Sequence, residues 1–412
     1  MSKYLINDEK GCCIGGGTIG AGVAYYVSKM GNAEVTLVDR DYIGSGNTAA
    51  AASLVTLARA KRPIIPLVME TMAAIEEMEV LLEEPSGVMK VGSVHVVASD
   101  ASEKSVRNLM EIAKEFGLEH EWITAEEVKE RLPWVNISEV RGGAFMKGDC
   151  YMESTVLANN YAKAAKICGA TIKQYTDVEE ILYEANQITG VRTNNGVINC
   201  DIVVDAAGAW SNLLSMQVNE AIPMAPVRSI YWITGRRPDL FNPHQPMAIF
   251  PDASTYCRPE GEALLFGIRD RAGLHVDPKT LPNSMHGYNM IKEDESWHIL
   301  MDEGEKFQEF FPEFHDMEIA HCISGISTYT PDASLTLGKA KNMEGLYVAT
   351  GCSGAGVATS GGYGRIIAEL IYDMPLFTQI DSFSMERFGN FDPFDGVFRQ
   401  QCANARSNKK EG

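Results

Sequence analysis

The apolar residues nearest the N-terminus, Cys12-Cys13-Ile14, form a short run that breaks into Gly15-Gly16-Gly17-Thr18-Ile19-Gly20. Val23, Tyr26, Val27 and Met30 then recur at the spacing of one helix face, predicting a helix over 21–30 that Gly31-Asn32 stops. Glu34 to Val38 reads as a second strand, ending on Asp39. Further along, the pattern predicts helices over 63–83, 101–116, 124–132 and 154–168, the third opened by a Thr124/Glu127 capping box. Strands are predicted at 93–97, 171–172, 178–182 and 201–205, with a hairpin over 187–198. Residues 226–267 alternate as an antiparallel sheet would, and 288–311 are mostly helical. Leu346 to Thr350 is a last strand, followed by a glycine-rich turn over 351–356 and a helix to Ile371. Beyond it lie Phe383, Phe388, Phe391, Phe394 and Phe398, free either to dock a partner or to pack back, and a polar end expected to be disordered from Asn404.

Composition narrows the function classes. With 412 residues, 45% of them hydrophobic, the chain can build a large core in two lobes. Its 55 acidic and 36 basic residues give a formal net charge of -19, which argues against a nucleic-acid partner. No run of about 18 apolar residues suggests a transmembrane segment, and the first residues lack the apolar stretch of a secretory signal. The nine cysteines include no C-x-x-C pair, so neither zinc nor a disulfide framework is indicated, and reduced thiols in a cytoplasmic protein are expected. The histidines have no metal-like spacing.

The strongest chemistry lies in Gly15-x-Gly17-x-x-Gly20. Between strand and helix, such glycines allow a tight turn, close approach of backbone N–H groups to a pyrophosphate, and packing of helix on strand. Asp39 stands where a carboxylate can accept the hydroxyls of a ribose. This unit suits NAD and FAD equally. The second glycine turn, Gly351-Cys352-Ser353-Gly354-Ala355-Gly356-Val357, favours FAD, because backbone donors at a helix start suit the flavin region that becomes anionic on reduction.

These segments, with Tyr42 to Thr48, Ala207-Gly208-Ala209-Trp210 and Thr330-Pro331-Asp332, resemble the D-amino-acid oxidase superfamily. Within it, Thr124 to Pro133 and Ile137 to Val140 are most similar to the flavin-bearing subunits of heteromeric amine dehydrogenases. The resemblance implies an α/β fold: a discontinuous Rossmann-type FAD-binding lobe (1–85, 148–222 and 321–385), an antiparallel-sheet substrate lobe (86–147 and 223–320), and a tail, 386–412, able to meet a partner. It implies that Gly15, Gly17, Thr18, Ile19 and Gly20 touch the pyrophosphate, Asp39 and Arg40 the adenosine side, and Ser45, Gly46 and Thr48 the phosphates and flavin. Val178 would meet adenine. Ala207, Gly208 and Trp210 would close over the cofactor, and Gly351, Ser353, Gly354, Gly356 and Val357 would sit at the flavin ring. Gly325, standing where some relatives carry a linking cysteine, implies noncovalent FAD.

The departures from that pattern concern the substrate. Relatives' carboxylate anchors, a Lys after the closing turn and an Arg before Thr-Pro-Asp, are missing from Gly354–Ala358 and Ile326–Tyr329. Tyr256 and Arg258, on a strand that resembles the family's substrate-domain strand facing the flavin, are the leading catalytic candidates, Tyr256 to hydrogen-bond the substrate and Arg258 to hold an anionic group, with Arg59, Arg62 and Arg228 behind them. The expected reaction is oxidation of the C–N bond of a secondary amine or amino acid, with hydride transfer to flavin N5. Electrons would go to oxygen, a quinone or a partner subunit carrying a second redox centre. Oxidation of a hydroxy acid or other alcohol, with Tyr256 or His321 as base, and a flavin-binding assembly subunit with little turnover remain open.

Overall fold

The computed structural model describes residues 9–288, 290–291 and 293–408. Met1–Asp8, for which no secretory signal was expected, and the last four residues lie outside them.

A six-stranded sheet runs in the order Thr336–Lys339, Leu346–Thr350, Ile202–Asp205, Lys10–Ile14, Glu34–Val38 and Thr171–Lys173. Every neighbouring pair is parallel except the outermost, Thr336–Lys339 with Leu346–Thr350. Covered on both faces, parallel strands read as continuous apolar runs. That is why Cys12-Cys13-Ile14 and Ile202–Asp205 show no alternation.

Helix Gly356–Ile371 packs on helix Thr18–Met30, joining the two ends of the chain. Their backbones nearly touch: a Cβ on Gly364 would lie 2.5 Å from the Gly22 carbonyl oxygen, and one on Gly22 would lie 2.9 Å from that of Ser360. Small residues at the crossing set this approach.

The second sheet has eight strands in the order Ile319–Tyr329, Ala225–Thr234, Ala263–Ile268, Thr255–Glu260, Met247–Phe250, Ser93–Val97, Gly142–Met146 and His120–Ile123. It is antiparallel but for one pair, Met247–Phe250 with Ser93–Val97, where the two separated stretches of the sheet join. Its core holds Trp134, Phe250, Phe266, Phe307 and Phe311, with Trp134 edge-on to Phe311 at 5.2 Å between centroids. Strand Ile319–Tyr329, placed by the sequence largely in the cofactor lobe, pairs along Ala225–Thr234 and belongs to this second sheet.

The tail corrects one expectation. Gly396–Ser407 is a helix, not a disordered end, and Asp395 caps it by accepting from the Phe398 N–H at 2.9 Å. The phenylalanines pack back on this chain. Phe383 and Phe398 are buried, Phe391 stacks on Phe398 at 4.8 Å, Lys279 stands over Phe394 at 4.2 Å and Arg387 over Phe388 at 4.5 Å. The apolar side of the tail helix is thus covered by its own fold.

Candidate active site

A cavity of about 300 Å³ opens at the C-terminal ends of the parallel strands and runs to the eight-stranded sheet. In open parallel sheets this is where ligands bind. Its lining brings together Gly15, Gly17, Thr18, Ile19, Gly20, Asp39, Arg40, Ser45, Gly46, Thr48, Val178, Ala207, Gly208, Trp210, Gly354, Gly356, Val357 and Tyr256. Gly325, Gly351, Ser353 and Arg258 do not reach it.

At the first glycine turn, Gly15 has φ +102° and its missing side chain leaves room for the Ala206 carbonyl. Helix Thr18–Met30 starts behind Gly17 with no side-chain cap, so its first N–H groups face the cavity mouth, apart from the Thr18 N–H that donates to Thr48 Oγ1 at 3.2 Å. Asp39 accepts from the Gly16 N–H at 2.6 Å and the Asp41 N–H at 2.8 Å. Burial pushes its carboxyl up and those two bonds pull it back. Arg40 lies 4.7 Å over the Trp210 ring and 3.6 Å from Asp177 Oδ1, and donates to the Asn283 carbonyl at 3.3 Å. The turn that carries Trp210 is fixed from below, where buried Asp205 accepts from Ser215 Oγ at 2.6 Å and the Ala207 N–H at 3.1 Å.

The second turn explains the absent positions. Gly354, Gly356 and Val357 face the cavity, while Ser353 turns behind them, its hydroxyl donating to the Ser334 carbonyl at 2.6 Å and its N–H to that of Thr328 at 2.7 Å. Gly351 leaves space for Thr336, whose Cβ would be 2.9 Å from a side chain there. Gly325 sits against Asn47 and Ala50, and a Cβ would be 2.7 Å from Asn47 Oδ1. These three residues shape the turns from outside rather than touching the cavity.

The residues present fit FAD. The cavity carries an uncapped helix start and a carboxylate near one end, and a glycine turn preceding a second helix toward the other. Asn47 Oδ1, Thr56 Oγ1 and Trp210 Nε1, all on residues lining it, are buried without a hydrogen-bond partner among the described residues. A buried polar atom is costly to leave unpaired, so a polar ligand fits this wall.

On the substrate side, Tyr256 lines the cavity from strand Thr255–Glu260. Arg258 corrects the sequence reading. Two residues further along the same strand, it donates to the Ala52 carbonyl at 2.6 Å and the Pro259 carbonyl at 2.9 Å, and pairs with Glu260 at 2.6 Å. Its 4% exposed side chain is committed to packing. Arg62 is a surface partner of Glu115, Arg228 pairs with Glu295, and His321 is exposed; none lines the cavity.

The cations that line it are Arg59, named only as an alternative, and Arg269 and Arg406, which sequence reasoning missed; Arg40 stands at the Asp39 end. Burial pulls Arg59 down to about 10, with Asp149 opposing. Tyr256 and Tyr329 are pushed up by burial, and Arg406 and Arg269 ease both, which marks the four as one electrostatic group. The tail helix that carries Arg406 was legible in principle: Phe398, Cys402 and Arg406 fall at four-residue steps after an Asp395 cap.

A Rossmann-type cradle joined to a second sheet across one long cavity defines a dinucleotide-dependent redox fold. The chain belongs to the FAD dependent oxidoreductase family, which it matches over residues 12–370. It is 25% identical over 381 residues to the mitochondrial pyruvate dehydrogenase phosphatase regulatory subunit of Mus musculus, covering 91% of this chain and 42% of that protein. To 4-methylaminobutanoate oxidase (formaldehyde-forming) of Paenarthrobacter nicotinovorans it is 25% identical over 358 residues, covering 87% and 43%. The chain thus spans about two fifths of the length of these curated relatives. Among solved structures, L-proline dehydrogenase from P. horikoshii superposes with a TM-score of 0.81 at 25% identity, covering 93% of this chain and 98% of that one. Among the described residues no helix is long and apolar enough to cross a membrane.

Proposed function

We propose that this chain oxidises the carbon–nitrogen bond of a secondary amine or amino acid, using noncovalently held FAD as the two-electron acceptor. In this reading the six-stranded sheet and its helices hold the cofactor and the eight-stranded sheet covers the substrate. Asp39 takes the adenosine ribose, the Gly15–Gly20 turn the pyrophosphate, and the Gly354–Val357 turn the flavin end. Tyr256 and the neighbouring arginines position the substrate, and the dry walls of Ile249 and Ile326 exclude water from the reacting carbon.

The single observation that carries this choice is the absence of a base where the substrate would lie. Among the described residues, no histidine lines the cavity, and its only carboxylates, Asp39, Asp41 and Asp177, cluster beside the adenosine contacts. Alcohol oxidation needs a group to take the hydroxyl proton, whereas an ammonium can give up its proton to water before it binds, and the neutral amine then needs orientation alone. Tyr256, raised by burial, is a poor base.

The test is anaerobic mixing of the FAD-loaded protein with a panel of N-methyl amino acids, cyclic and primary amino acids, and hydroxy acids. Bleaching of flavin absorbance by amines alone supports the reading; bleaching by hydroxy acids alone overturns it. Readmitting oxygen or an artificial dye then separates direct oxygen use from delivery to a partner subunit carrying a second redox centre. A second reading, a flavin-binding assembly subunit with little turnover, is favoured by the regulatory subunit among the relatives. No bleaching by any compound would select it. The unpaired cysteines support a reducing compartment such as the cytoplasm.

A further inference from the structure

We propose that Arg406, carried on the C-terminal helix, holds a carboxylate of the substrate, so that the chain selects amines bearing an anionic group. This deepens the amine-oxidising reading and rests on it. The helix Gly396–Ser407 lies beyond the 12–370 span that matches the family model.

The helix is locked in place rather than laid on the surface. Phe398, Cys402 and Ala403 are buried against Ala225, Val227 and Tyr329, and the Gly273 N–H donates to Ser407 Oγ at 2.7 Å. Its inner face carries Arg406 to the cavity, beside Tyr256, Tyr329 and Arg269, with a side chain only 6% exposed. A guanidinium buried to that degree is tolerated only when paired, and Asp270 supplies the pair: Arg406 Nη1 donates to Asp270 Oδ1. That bond uses one of five N–H donors, and a planar fork with donors to spare matches a carboxylate. The cavity-lining segments Ile326–Tyr329 and Gly354–Ala358 carry no cation. Arg406 therefore answers a need those segments leave open. It would act by binding and positioning, with no part in proton transfer.

The experiment titrates the FAD-loaded protein with propionate and with propionamide, following the flavin absorption spectrum. Propionate should perturb the spectrum and the neutral amide should not. The double variant Arg406→Gln/Asp270→Asn removes both charges and leaves neither partner stranded. It should weaken propionate by about tenfold or more, the loss of a charge-assisted bond, with the spectrum of the free protein unchanged. Arg406→Lys, which keeps the ion pair, should fall between, and it carries the test if the double variant does not fold. With an amino acid found in the reduction screen, the same variants should raise KM and leave kcat nearly constant. Wild-type affinity for propionate in the variants, or no spectral response to propionate at all, overturns the inference. So does equal turnover of amines with and without a carboxylate, although the amine-oxidising reading would then stand. Arg406-dependent propionate binding with no amine oxidised would sink that reading and leave the anion site.

Discussion

Tyr256 fills the space that a side chain at Gly267 would need. The two residues face each other across antiparallel strands Thr255–Glu260 and Ala263–Ile268, and a Cβ on Gly267 would run into the phenol ring. The ring's place in the cavity is thus set by its neighbour's lack of a side chain. Gly267→Ala should displace Tyr256 at an overpacking cost of about 1–3 kcal/mol. We expect kcat/KM to fall about tenfold or more while flavin content stays near wild type. Steady-state kinetics with the best amine, alongside bound-flavin absorbance, checks this; unchanged kinetics would remove Tyr256 from the substrate's surroundings.

Asp39 should govern cofactor retention rather than turnover. Its two backbone bonds aim the carboxylate, and a charge-assisted bond to a ribose is worth about 1.5–3 kcal/mol. Asp39→Asn should raise the Kd for FAD roughly tenfold to a hundredfold, with kcat near normal when FAD saturates. Flavin fluorescence released on dilution measures it.

Arg258 should prove structural. Removing it leaves the partly exposed Glu260 to water and takes the donor from the Ala52 carbonyl, a loss of about 1–3 kcal/mol for the unmade hydrogen bond. Arg258→Met should lower Tm markedly and change the rate of anaerobic flavin reduction by less than about threefold, about 0.6 kcal/mol of barrier. A large kinetic loss at unchanged Tm would restore it as a substrate ligand.

His95 and Asp149 should oppose each other in acid. Burial pulls His95 from 6.5 down to about 4. As pH falls below 6.5 the unfolded chain takes up a proton that the fold refuses, and stability is lost until about pH 4. Burial pushes Asp149 from 3.8 up to about 6, against bonds from the Leu57 N–H and Ser93 Oγ. Here the fold takes its proton first, so stability is regained as pH falls from about 6 towards 4. Each amounts to about 3 kcal/mol by the size of its shift. His95→Leu should therefore become more stable on acidification, and Asp149→Asn less stable, relative to a flatter wild type. Denaturant melts across pH 4–7 would show parallel curves if these shifts are absent.

The strand–turn–helix cradle was legible because its constraints are local: Gly15, Gly17 and Gly20 must lie at fixed offsets from a strand, and Asp39 must close the next one. The antiparallel sheet showed as alternation between prolines. What could not be read were contacts made by convergence. Arg269 follows a buried strand and Arg406 sits in a polar tail; nothing local says that either faces Tyr256. Arg258 misled for the same reason, since its proximity to Tyr256 in sequence hid the Glu260 and Ala52 partners that turn it aside. Gly351, Ser353 and Gly325 look like ligand contacts by motif but shape the turns from behind.

The close crossing at Gly22 and Gly364 has a bearing on biosynthesis. On the proposed placement, the wall that would receive the flavin end is formed by residues made long after the Gly15–Gly20 turn has left the ribosome. A growing polypeptide can offer a full socket only once the stretch around Gly364 has been synthesised and has nested against the first helix. On that placement, full seating of the coenzyme would have to wait until the last part of the message has been translated.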